Sequence, residues 1–130
     1  MLKKMVIMAC CLLILNGCAA PQKAAEYKRI TAEEAKQVLD TKQGAIILDV
    51  RTQEEYDQGH IPNALLIPNT DISKQADTML PDKNATILVY CRSGNRSKSA
   101  SEELLAMGYT KVYDFGGINN WPYDITEAQK

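Results

Sequence analysis

Short apolar runs alternate along this chain with capped amphipathic segments, and no other feature limits its fold so tightly. Ala45-Ile46-Ile47-Leu48-Asp49-Val50 is too short for a helix and rich in branched residues, so it predicts a strand buried on both faces. Leu65-Leu66-Ile67, Thr86 to Tyr90 and Val112-Tyr113-Asp114-Phe115 are runs of the same kind. Between them stand two capping boxes, Thr31-Ala32-Glu33-Glu34 and Thr52-Gln53-Glu54-Glu55, in which hydroxyl and carboxylate satisfy the orphan N–H groups of a helix start. The first opens a helix over about Thr31 to Thr41, with Ala35, Val38 and Leu39 at helical spacing and Gly44 in the loop after it; the second opens a short helix stopped by Gly59. Asp71 to Met79 carries a weaker helical pattern, Pro81-Asp82-Lys83-Asn84 is a turn, and Ser97 to Met107 is an amphipathic helix capped by Gly108. Such alternation predicts an α/β fold, a central parallel sheet with helices on both faces, with ligands at the carboxyl ends of the strands.

One of those strands ends in a nucleophile. Cys91 follows Ile87-Leu88-Val89-Tyr90, and the residues Arg92-Ser93-Gly94-Asn95-Arg96-Ser97 can fold into a cup of backbone N–H groups that opens a helix, which is an anion site. The same cup would hold a thiolate. Helix N-termini and neighbouring Arg lower a cysteine pKa from about 8.5 toward roughly 3.5–7.5, and the thiolate is the reactive form. The expectation is a reactive sulfur facing an oxyanionic substrate, with Gly94 letting the loop bend inward and the amides from Arg92 to Arg96, Ser93 and Asn95 included, supplying the stabilisation. Arg92 and Arg96 would orient the oxyanion. Arg92 is equally readable as a solvated loop side chain, whereas Arg96 closes the loop and is the one expected to touch substrate. A glycine and two arginines within five positions set Cys91 apart from a small core cysteine.

The other cysteines, Cys10, Cys11 and Cys18, fall in an N-terminal segment with Lys3 and Lys4 as a basic region and Met5 to Leu15 as a short apolar core. That core falls short of the roughly 20 residues a spanning helix needs. It ends in Leu15-Asn16-Gly17-Cys18, which resembles the lipobox of bacterial lipoproteins, in which the cysteine becomes the first mature residue and carries the lipid. Residues 1–17 are accordingly expected to be a lipoprotein signal peptide, in preference to an ordinary signal peptide or an uncleaved anchor. Residues 18–26 form a polar, alanine-rich tether, and 27–126 one domain. The protein would be exported and held by a lipid on Cys18 to the extracytoplasmic side of a bacterial membrane. Cys91 would then be the single remaining thiol, unable to form an intramolecular disulfide. The net charge of −1, the absence of any basic run, and only one Trp and one Phe argue against nucleic acid as a partner.

With these residues in place, the chain resembles the single-domain rhodaneses, which are thiosulfate sulfurtransferases. The likeness runs from about Tyr27 to Ile125 through Leu48-Asp49-Val50-Arg51, Glu54-Glu55-Tyr56, Gly59-His60-Ile61-Pro62-Asn63-Ala64, Val89 to Ser97, and Gly116-Gly117 followed by Trp121. Asn63 stands where the family usually has glycine, and asparagine tolerates positive φ better than most residues. The resemblance implies a rhodanese-like three-layer fold and a sulfane sulfur carried as a persulfide on Cys91. The donor would be thiosulfate or a similar anion, and the acceptor cyanide or a thiol, small-molecule or protein. It also implies that His60 supports a turn and takes no part in catalysis.

Asp49 and Arg51, at the end of their strand, are expected to form a hydrogen-bonded brace, and Trp121 to pack the last turn against the sheet. No cofactor is implied, and one His with one free Cys cannot supply a usual zinc set. The spacing Cys91-x4-Arg96 differs from the Cys-x5-Arg of phosphatases on this fold, whose extra residue widens the cup for a phosphate or arsenate tetrahedron; a phosphatase or arsenate-reductase-like enzyme is therefore the weaker alternative. A non-enzymatic alternative is a lipid-anchored sulfur-relay or protein-binding module without turnover of its own.

Overall fold

Four parallel strands form one sheet in the order β2-β1-β3-β4, with β1 at Ile46–Asp49, β2 at Leu65–Leu66, β3 at Thr86–Cys91 and β4 at Lys111–Gly117. The computed structural model describes Gly17 and residues 24–127. The expected signal segment other than Gly17, the expected lipid site Cys18 and most of the expected tether lie outside the described residues. Among the described residues no helix is long and apolar enough to cross a membrane.

Every residue of β3 is buried, as the apolar run from Ile87 to Cys91 demands of a central strand. Successive side chains point to opposite faces, so the strand feeds two separate cores. Ile87, Val89 and Cys91, with Leu48 and Val50, pack against Ile72 and Ala76 of α3 (Ile72–Met79) and Ala100 and Leu104 of α4 (Asn95–Ala106). On the other face Leu88, Tyr90 and Ile47 meet Ala32 and Ala35 of α1 (Ala32–Thr41), together with Phe115 and Trp121. The six-residue α2 (Gln53–Gln58) leans on this second core through Tyr56. Each Leu, Ile or Val so buried contributes about 1.5–3 kcal/mol against the entropy of ordering the chain. The result is the three-layer α/β fold expected from the alternating runs.

Both capping boxes form, Thr31 with Glu34 and Thr52 with Glu55. Asn63 takes a positive φ of 66°, as its turn requires. Two boundaries differ by two residues from the sequence expectation, the others by no more than one. The helix after Cys91 starts at Asn95, not Ser97, because Gly94 takes φ 114° and ψ −8° and turns the first helical residues directly out of the loop. The last strand runs two residues further, to Gly117, and a register shift between Val89 and Cys91 sets Gly117 opposite Cys91.

From β1 the chain steps outward to β2 and then returns to β3 on the other side of β1. The carboxyl ends of β1 and β3 therefore flank the point where the strand order reverses, the crevice in which open α/β sheets bind ligands. The segment leaving β1 carries α2, and the segment leaving β3 begins with Cys91 and opens α4.

Candidate active site

Cys91 ends β3 with its side chain on the α3/α4 side, under the loop that follows it. It is only 1% exposed. The sequence predicts a reactive sulfur held in a cup of N–H groups; the structure seats it on the floor of that cup, because the loop backbone folds tightly over it. The Gly94 N–H donates to Cys91 Sγ at 3.0 Å. Ser97 Oγ lies 3.5 Å from the same sulfur, and toward an ionised sulfur that hydroxyl is the donor. Burial pushes the thiol up, but the Ser97 hydroxyl and the N–H groups of Ser97, Gly94 and Ser93 outweigh it and hold Cys91 below the ordinary cysteine value.

The loop is fixed from three sides. Its first peptide lies on Gly117, where a Cβ would meet Arg92 O at 1.9 Å, so only glycine admits this approach. Arg29, in the segment before α1, donates through Nη2 to Gly94 O at 2.8 Å and to Asp114 Oδ2 at 2.6 Å. Asp114 is fully buried and also accepts from the Tyr27 hydroxyl at 2.6 Å and the Gly116 N–H at 2.8 Å. The chain before α1 is thus part of the loop's support. The Ser97 hydroxyl has two other acceptors, Gly94 O at 3.1 Å and Gly116 O at 3.2 Å. Gly94 O already accepts from Arg29 and, at 3.3 Å, from the Lys98 N–H, so Gly116 O and the sulfur are the main competitors for the Ser97 proton.

Of the residues singled out from sequence, the loop brings Cys91, Gly94 and Arg96 to one place, while Arg92, Ser93 and Asn95 are exposed on its outer side. Arg96 does not stand open to a ligand. Its Nη1 and Nη2 donate to Glu55 Oε2 and Oε1 at 2.7 and 2.8 Å, a two-pronged ion pair that joins α4 to α2 across the crevice. The Arg96 guanidinium holds the Glu55 carboxyl down to about 2, against some opposing burial.

Asp49 and Arg51 sit on the opposite face of the sheet from Cys91. Asp49, fully buried, accepts from Arg51 N, Nε and Nη2 at 2.9, 3.0 and 2.7 Å and from the Tyr90 hydroxyl at 2.6 Å. Arg51 reaches on to Gly59 O at 2.7 Å, and the Ile61 N–H donates to the Tyr90 oxygen at 3.1 Å. This network ties the end of β1 to the Gly59-His60-Ile61 turn. His60 stacks on Tyr56 with centroids 3.7 Å apart, and its Nδ1 lies 2.8 Å from Tyr56 O. Trp121 packs on Phe115, its Nε1 donating to Asp124 O at 3.3 Å.

Sequence reasoning passed over Arg29, Ser97, Asp114 and the second task of Glu55. Glu55 was visible only as the N3 member of a capping box, and Ser97 only as a helix start. For Arg29 and Asp114 no local pattern could have revealed the pairing. Beside the loop opens a cleft of about 320 Å³ lined by Arg29, Thr31, Glu33, Ser93, Gly116 and Asn120. A larger groove of about 770 Å³ runs past Leu39, Ile47, Pro62 and Trp121, and no residue of the Cys91 loop lines it.

Comparison with known proteins points one way. Residues 31–123 match the family model described as "Rhodanese-like domain". Thiosulfate sulfurtransferase PspE of Escherichia coli (strain K12) is 42% identical over 73 residues, covering 56% of this chain and 70% of that protein. Thiosulfate sulfurtransferase GlpE of Pseudomonas fluorescens (strain SBW25) is 38% identical over 98 residues, covering 74% and 85%. Among solved structures, a rhodanese with anions from E. coli superposes with a TM-score of 0.61 at 37% identity, covering 65% of this chain and 99% of that one.

Proposed function

We propose, on the premise that this chain belongs to the rhodanese-like domain family, that it is a sulfurtransferase which carries a sulfane sulfur as a persulfide on Cys91. The Cys91 thiolate attacks the outer sulfur of thiosulfate or a similar anionic donor. The S–S bond of the donor breaks, sulfite leaves with the electron pair, and Cys91–S–S⁻ remains. An acceptor, cyanide or the thiolate of a small molecule or protein, then attacks the outer persulfide sulfur, takes it, and restores the Cys91 thiolate. No proton has to move in either step, so catalysis rests on preorganised donors and positive charge.

One observation carries this reading: Cys91 Sγ accepts the Gly94 N–H at 3.0 Å within a short loop whose amides and Ser97 hydroxyl favour the anion. An anionic sulfur so held is a competent nucleophile. A floor only 1% exposed favours a narrow group arriving end-on, and the terminal sulfur of thiosulfate is one atom wide. The same burial gives weight to a second reading, a relay module that exchanges sulfur only with a docked partner. The reading extends to export and a lipid on Cys18, supported by the basic, apolar and Leu15-Asn16-Gly17-Cys18 sequence of the N-terminus.

The test is the intact mass of purified protein after incubation with thiosulfate. A gain of one sulfur atom, removed by cyanide, is expected, and the Cys91→Ser variant should gain none. Full sulfite release by that variant would overturn the mechanism. Cyanide-dependent turnover of thiosulfate separates the enzyme from the relay module, which would show none.

A further inference from the structure

Arg96 is a cation of the Cys91 loop itself, and its charge couples to that of Cys91. It is nevertheless compensated. Glu55 accepts from both terminal nitrogens of the guanidinium, at 2.7 and 2.8 Å. Glu55 stays ionised at every ordinary pH, so the compensation is permanent. The pair stands across the crevice between the carboxyl ends of β1 and β3, one partner from each flank. A ligand approaching Cys91 therefore meets a carboxylate as well as a guanidinium. Phosphate and sulfate sites ordinarily leave the fork of an arginine open for the ligand's oxygens; here a carboxylate already occupies it.

We propose that Glu55 sets donor specificity by charge: it holds Arg96 in a compensated pair and so biases the site toward singly charged sulfane-sulfur donors, organic persulfides and thiosulfonates, and away from doubly charged thiosulfate. This rests on the sulfurtransferase reading above. With a thiosulfonate the chemistry is unchanged. The Cys91 thiolate attacks the outer sulfur, the bond to the sulfonyl sulfur breaks, and a sulfinate leaves with the electron pair.

The experiment compares thiosulfate with methanethiosulfonate, which presents the same reacting sulfur with one charge fewer, in the wild type and Glu55→Gln. Glutamine still serves at the N3 position of a capping box, so the variant keeps the start of α2 while losing the charge. Coulomb energy is proportional to ligand charge, so the fold-gain on a dianion is the square of that on a monoanion. The KM for methanethiosulfonate should fall about threefold and that for thiosulfate about tenfold, within the range expected of a partly exposed charge. Both gains should shrink between about 0.1 and 1 M salt, as the screening length contracts from roughly 10 to 3 Å. As a control, Thr52→Ala weakens the same capping box and removes the Thr52 hydroxyl's hydrogen bond to Glu55 Oε2 but leaves the carboxylate and its charge in place, so it should leave the donor ratio unchanged.

Equal effects on the two donors, effects indifferent to salt, or a raised KM for thiosulfate would each overturn the role given to Glu55. Were the wild type to gain no sulfur from either donor, the sulfurtransferase reading itself would fall. A wild type that gains sulfur, with no charge-graded response in the variant, defeats the Glu55 proposal alone.

Discussion

Replacing Ser97 by alanine removes one of the donors that hold the Cys91 sulfur negative and leaves the amides in place. Ser97 is fully buried and its Oγ lies 3.5 Å from Sγ, while the Gly94 N–H approaches to 3.0 Å. A hydrogen bond to a charged group is worth about 1.5–3 kcal/mol, and the long contact here argues for the lower end. At about 1.36 kcal/mol per pKa unit, the Cys91 pKa should rise by roughly one unit in Ser97→Ala. The pH dependence follows from the sign of the shift. Cys91 is depressed in the folded protein, so its ionisation contributes stability that is fully present above the unfolded thiol value of about 8.5 and is lost as pH falls through the folded value. Ser97→Ala narrows that window from below. Below both values the rate of persulfide formation should drop about tenfold, and it should recover as pH is raised through the new pKa. Thiolate absorbance in the ultraviolet and single-turnover sulfite release, each followed against pH, measure the two quantities. An unshifted titration would refute the reasoning; the hydroxyl proton would then rest on Gly94 O or Gly116 O, and the amides alone would hold the sulfur.

Two further outcomes follow from packing. Asp49→Ala leaves the buried Arg51 guanidinium with only Gly59 O among its side-chain acceptors and deprives the Tyr90 hydroxyl of its acceptor, so it should cost about 3–5 kcal/mol, read as a lower urea midpoint. Against a total stability of about 5–15 kcal/mol that is a large fraction; a change below about 1 kcal/mol would mean the network does not brace the fold. Gly117→Ala puts a Cβ 1.9 Å from the Arg92 carbonyl oxygen, a backbone atom with nowhere to retreat, and the loop must shift. Loss of sulfur uptake with a Cys91 pKa returned toward about 8.5 is expected, and unchanged uptake would show that the loop does not depend on this contact.

What the sequence alone determined was local. Hydrophobic runs of strand length, two capping boxes, the glycines Gly44, Gly59 and Gly108 after three of the helices and a cysteine at the end of the most apolar strand all act through contacts a few residues apart. Composition and spacing therefore carry them. Position 63 belongs to the same class, since an asparagine at positive φ is decided within its own turn. The placement of Cys91 at a carboxyl strand end was readable too, because strand length and the loop after it are both local.

The tertiary structure decided what those groups touch. Arg29 reaches Gly94 across 65 positions of sequence and Arg96 reaches Glu55 across 41, distances at which no periodicity binds one residue to another. Register decided the rest. Because alternate residues of β3 face opposite ways, Tyr90 joins Asp49 and Arg51 in one core while Cys91 enters the other, and a shift of one residue would exchange them. The burial of the sulfur and the compensation of its neighbouring arginine belong to that packing, since both arise only when separate loops are brought to the same end of the sheet.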